Sequence, residues 1–171
     1  LQRTGWGVLA VEGSRLSHVG HGVLISDRKL PLAERLRQLY QALGDVLSQW
    51  QPVEAAVEET FVNKNPSSTL KLGQARGVLL LAPAMAGIPV SEYTPNLIKK
   101  SVVGTGHAQK AQVAMMVTTL LPAAGNVTDD AADALAVAIC HAHLRRNQQI
   151  MAQVAKNEEK AGPNRRQGVG P

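Results

Sequence analysis

The sequence predicts an α/β domain with a central mixed β-sheet flanked by helices. Three observations predict it: a Gly- and Val-rich hairpin pattern at the start, two short apolar runs at residues 53–58 and 89–93, and segments of helical period around them. A chain of 171 residues is enough for one domain with a sizeable core. Its 44% hydrophobic and 3% aromatic content implies aliphatic packing.

The elements follow in order. Residues 4–11 and 16–25 read as extended, and Gly13-Ser14 between them supplies turn chemistry for an antiparallel hairpin. Opening inside this hairpin is unusual, because a central strand normally precedes such an element in a mixed sheet. Pro31 then starts a helix, where its missing N–H is tolerated in the first turn. Leu32, Leu36, Leu39, Leu43, Val46 and Trp50 recur at helical spacing, with Glu34, Arg37, Gln38 and Gln41 on the other side. After Pro52 comes the strand 53–58, then a polar loop over 60–66. Ser67 or Ser68 caps a helix running to about Met85, whose Gly73, Ala75 and Gly77 allow close approach of another backbone. A strand at 89–93 leads into a helix opened by Thr94-Pro95, which ends before Gly104-Thr-Gly106. A helix over 108–120, a loop over 122–127 and an alanine-rich helix capped by Thr128 or Asp129 complete the domain near Arg146. The domain therefore spans 1–146, and residues 147–171 are expected to fray and become a disordered polar tail.

Charge is unevenly placed. The net charge is +5, but from Arg145 onward six basic residues face two acidic ones, against twelve and eleven in the body. Binding to nucleic acid would therefore use local clusters, with the tail adding a nonspecific pull on phosphates. No apolar run reaches membrane-spanning length, and no signal-peptide pattern is present. The single cysteine, Cys140, excludes an internal disulfide and sits among apolar helical neighbours as a core thiol.

The chemistry concentrates in two acidic stretches. Val57-Glu58-Glu59-Thr60-Phe61 ends a buried strand in acid, and carboxylates there are costly unless a cation pairs with them. A hard divalent ion is one such partner. Glu58 and Glu59 alternate across the strand, so only one can face a site; the alternative is a loop anchor. Asp130 and Asp133 lie three apart at a helix start, on one face, where the macrodipole favours anions. They are either ordinary first-turn acids or ligands held beside the apolar Leu135, Val137 and Ile139. Gly104-x-Gly106-x-x-x-Lys110 lacks the Lys-Ser/Thr of a nucleotide loop, yet can hold one backbone phosphate. His141 and His143 diverge on their helix and read as helix-end residues. Lys64, Lys71, Arg76, Lys99, Lys100 and Lys110 are either a solvated scatter or a phosphate-binding set. Phe61, the one phenylalanine, lies in a polar loop and is either a core ring, which the loop gives little core to enter, or an exposed stacking platform for a base.

Val57-Glu58-Glu59-Thr60-Phe61-Val62-Asn63-Lys64-Asn65 and Leu70-Lys-Leu-Gly-Gln-Ala-Arg-Gly77 together resemble the RuvC family of bacterial Holliday junction resolvases. So do Val102-Val-Gly-Thr-Gly106, Lys110-Ala-Gln-Val113 and Asp130-Ala-Ala-Asp-Ala-Leu135, and the resemblance covers residues 1–143. It implies an RNase H-like fold, a homodimer, and a two-metal endonuclease that nicks four-way DNA in pairs to leave 5′-phosphates, in homologous recombination and repair. Glu58, Asp130 and Asp133 match the acidic cluster that binds Mg2+, two ions per subunit with Mn2+ as a substitute. Glu59 stands where the family often has Gln, which selects Glu58. Lys99 and Lys110 match lysines near the scissile phosphate, and Lys110 joins the catalytic set. Phe61 matches the base-stacking aromatic, and Lys64, Lys71 and Arg76 complete the expected DNA contacts. The RuvA–RuvB branch-migration complex is the implied partner and the bacterial cytoplasm the implied location. The family's first catalytic carboxylate lies in an Asp-Pro-Gly turn immediately upstream of a segment like Leu1-Gln-Arg-Thr-Gly-Trp-Gly. The chain begins after it, so the resemblance implies a first strand upstream and weakened cutting by this chain. Two other readings compete: a junction-binding module without cleavage, and an RNase H-like nuclease acting on RNA.

Overall fold

The computed structural model describes residues 1–59 and 66–161. Strands β1 (Arg3–Glu12) and β2 (Arg15–Ile25) form the expected antiparallel hairpin, turning at Gly13 with φ of +60°. A register shift between Val8 and Leu9 bends it. Gly20 and Gly22 leave room on β2 for two indoles: a Cβ on Gly20 would sit 2.8 Å from the Trp50 ring, and one on Gly22 would sit 2.9 Å from the Trp6 ring. Those indoles pack with centroids 6.4 Å apart, clamping helix α1 (Leu32–Trp50) to the hairpin.

Strand β3 (Ala55–Glu58) pairs in parallel with β4 (Val90–Tyr93), with Glu58 opposite Tyr93. Parallel strands need a long crossover, and helix α2 (Pro66–Met85) supplies it. Helix α3 (Pro95–Val103) is capped by the Thr94 hydroxyl, which accepts from the Leu97 N–H, and Gly104 at φ +89° ends it. Helix α4 (Lys110–Leu120) begins with a Gln109–Gln112 capping box, two residues later than its expected start at Ala108.

The final helix, α5 (Asp129–Ala161), does not stop near Arg146. The expected frayed tail is helical to Ala161. The reason is legible in retrospect: residues 147–161 contain no Gly or Pro, and the first breakers are Gly162-Pro163.

Helix α5 is the centre of the packing. Val117, Leu121, Leu135, Ile139 and Cys140 are fully buried where α3 and α4 meet it, each aliphatic side chain contributing about 1.5–3 kcal/mol. Cys140 is the expected core thiol, and burial raises its pKa. On its other side α5 meets bare backbone: a Cβ on Gly5 would overlap the Asp130 carbonyl, and one on Gly7 would lie 2.6 Å from Leu135.

The sheet is mixed in direction, but among the described residues it consists of two separate pairs, β1–β2 and β3–β4. The edges of β1 and β3 border one cavity of about 930 Å3, closed behind by one face of α5. Glu58 of β3 and Asp130 and Asp133 of α5 line one end of it, its mouth.

Candidate active site

Strand β3 delivers Glu58 to the mouth of this cleft, and the first two turns of α5 deliver Asp130 and Asp133 to the same mouth. Glu59, one residue on, does not line it; its N–H instead donates to the Tyr93 carbonyl at 2.8 Å. Strand alternation therefore separates the two glutamates as expected.

At this end of the cleft burial and a mixture of charges act together. Although Glu58 keeps contact with water, burial against the strand pairs raises its carboxyl pKa, and Asp133 raises it further. Lys110 and Lys99 oppose that shift from the α4 and α3 sides. Lys110 donates to Asp133 Oδ2 at 2.9 Å, and that bond raises the lysine pKa. The Arg3 Nε–H donates to Asp130 Oδ2 at 2.6 Å. Each aspartate is thus turned toward a cation of the chain, and no three metal-ligating side chains among the described residues enclose a common point. The donor set nevertheless fits a hard divalent cation. It is all carboxylate oxygen, and its like charges disfavour one another without a cation between them.

The expected DNA contacts are spread more widely. Lys99 and Lys110 flank the acids. Lys71 lies exposed in the first half of α2. Arg76, expected at the DNA, forms an ion pair with Glu92 on β4. Phe61 and Lys64 lie outside the described residues. The Gly104–Gly106 turn precedes α4 as expected, and Lys110, the first residue of that helix, faces Asp133.

Sequence reasoning passed over three groups. Arg3 meets Asp130 from 127 positions away, and no local pattern signals that. His141 and His143 are not helix-end residues, because α5 continues past them. His143 meets Ser101 at 3.3 Å, and His141 bridges Tyr93 and Glu54. Periodicity did carry a signal here. Asp133, Val137, His141 and Arg145 recur every fourth residue, so one stripe of α5 runs from the acids to Arg145.

Comparison with known proteins shows the family and the fold. The family model described as crossover junction endodeoxyribonuclease RuvC matches residues 1–141. A protein of that name from Rhodospirillum rubrum is 63% identical over 145 residues, covering 85% of this chain and 86% of the relative. One from Azorhizobium caulinodans is 60% identical over the same length and shares. Among solved structures, Thermus thermophilus RuvC is 34% identical with a TM-score of 0.77, covering 86% of this chain and 91% of its own. T. thermophilus RuvC in complex with Holliday junction substrate superposes with a TM-score of 0.78 at 34% identity, covering 84% and 88%. The cleft between β3 and α5 is therefore read in an RNase H-like frame, and the chain belongs to the RuvC family of crossover junction endodeoxyribonucleases.

Proposed function

We propose that this chain is a magnesium-dependent endodeoxyribonuclease that resolves four-way DNA junctions by paired phosphodiester hydrolysis, leaving 5′-phosphate ends. The observation that carries this reading is that Glu58, Asp130 and Asp133 line one cleft between β3 and α5, with Lys110 bonded to Asp133. The junction-bound relative supports four-way DNA as the substrate class.

Glu58, Asp130 and Asp133 would hold the metal; Arg3 and Lys110 now donate to Asp130 and Asp133. Bound there, a pair of magnesium ions supplies the Lewis acidity that activates a water and stabilises the leaving 3′ oxygen. The chain's own residues then position the strand. Lys110 and Lys99 on α3 would hold the scissile phosphate against the carboxylates. Phe61 stacks on a base near the branch point, and Lys64, Lys71 and Arg76 add phosphate contacts along the groove.

A homodimer presents two such sites to the two symmetric strands of a junction. Helix α2 supports this: Leu70, Leu72, Leu81 and Met85 are exposed on it, and Gly73 and Gly77 have open space where a Cβ would stand. The catalytic domain corresponds to residues 1–146, a cytoplasmic enzyme working beside the RuvA–RuvB branch-migration complex. No helix among the described residues is long and apolar enough to cross a membrane.

The test is cleavage of a synthetic four-way junction with Mg2+ or with EDTA. Metal-dependent, symmetric nicks with 5′-phosphate ends are expected. Junction binding without nicking in either condition would favour a binding module, and a preference for RNA duplex would overturn the substrate class.

A further inference from the structure

A second set of side chains lies deeper in the same cleft. Glu54, immediately before β3, receives the His141 ring nitrogen Nε2 at 2.9 Å and Arg145 at 3.0 Å. The Tyr93 hydroxyl meets His141 Nδ1 at 2.8 Å, with the rings 5.8 Å apart. An ionised Glu54 only accepts hydrogen bonds, so Nε2 carries the proton and Nδ1 accepts from the Tyr93 hydroxyl. One network thus ties β3, β4 and α5 together.

Its spacing from the acids is informative. Glu54 and Glu58 are four apart on one strand face, a separation of about 13 Å at about 3.3 Å per residue. Asp133 and His141 are eight apart on one helix face, about 12 Å at about 1.5 Å per residue. Strand and helix run antiparallel along the cleft, and the two separations match to about 1 Å. Locking Glu54 to His141 therefore brings Glu58 level with Asp133. Tyr93 adds a direct link, because it is the β4 residue paired with Glu58.

We propose that Glu54, His141 and Tyr93, steadied by Arg145, form a register clamp that positions Glu58 against Asp133 for divalent-metal binding. They are positioning residues, acting through Glu58 and Asp133 by way of their bonds to one another. A slip of one helical residue would move Asp133 about 1.5 Å along the strand, enough to spoil a shared coordination sphere. The inference rests on the metal reading given above.

The test measures Mn2+ binding by calorimetry, junction binding in EDTA by gel shift, and thermal midpoint, on the full chain and three variants. Tyr93→Phe removes one hydroxyl, Glu54→Ala removes the acceptor, and Glu54→Gln keeps an acceptor for His141. Tyr93→Phe and Glu54→Ala are expected to weaken Mn2+ by about tenfold, as loss of partners behind metal ligands does. Junction affinity in EDTA is expected to stay unchanged, with Glu54→Gln close to wild type in Mn2+ affinity. Unchanged Mn2+ affinity in both weakened variants would overturn the clamp. So would a Glu54→Gln defect equal to that of Glu54→Ala, or losses that merely follow a falling thermal midpoint. A wild-type chain that binds no Mn2+ would overturn the metal reading itself, and the clamp with it.

Discussion

The two ends of the β3–α5 cleft are built from the same parts and differ in one respect. Each places a glutamate of the strand segment opposite one stripe of α5. At the inner end Glu54 meets His141 and Arg145, two donors for one carboxylate, and the group is about three-quarters enclosed. At the mouth Asp130 pairs with Arg3 and Asp133 with Lys110, while Glu58, near Lys99 and Lys110, forms no ion pair among the described residues. Satisfied charge becomes structure, and unsatisfied charge becomes a site. Burial first, and Asp133 second, raise the Glu58 carboxyl pKa there, against the pull of Lys110 and Lys99.

The first way to sharpen the contrast is to damage the frame that both ends share. Leu135 is fully buried on α5 between the acids and the inner network, so Leu135→Ala is expected to cost about 2–5 kcal/mol. Chemical denaturation reads this, and both ends should fail together.

A more selective change acts at the mouth alone. Asp133→Asn and Glu58→Gln are expected to reduce metal-dependent cleavage by at least about a hundredfold, with folding and junction binding in EDTA retained. Normal cutting by either variant would break the distinction between the two ends.

Much of this frame was legible in the sequence, and the reasons are local. Leu32 through Trp50 announced α1, Gly13-Ser14 announced the hairpin turn, and the strand alternation separated Glu58 from Glu59. Motif likeness located Glu58, Asp130 and Asp133, and the fold brings all three to one cleft mouth. What stayed hidden depends on distance or on accumulation. The Glu54–His141 contact joins residues 87 apart, and neither residue is unusual among its neighbours. The length of α5 followed from the missing breakers before Gly162, a weak preference summed over many residues.

A smaller effect concerns pH. Because the Glu58 carboxyl pKa is raised in the fold, the unfolded chain releases that proton first as pH rises. Folding stability contributed by this group is therefore present at low pH and lost as pH rises through the raised pKa. Wild-type stability should fall relative to Glu58→Gln across that window, as thermal midpoints at successive pH values would show. A constant difference would contradict the shift.

The smallest effect is expected at Lys110. Its ammonium is about three-quarters exposed beside Asp133, so Lys110→Met should change stability by less than about 1 kcal/mol. Junction cleavage should nevertheless slow if Lys110 holds the scissile phosphate as proposed, and single-turnover rates would show it.

The most direct test of the account is Mn2+ titration of the wild-type chain beside Glu58→Gln and Asp133→Asn. The account predicts saturable binding by the wild type and at least about a hundredfold weaker binding by each variant. Equal binding by all three chains would contradict it, placing the metal somewhere other than the mouth of the cleft.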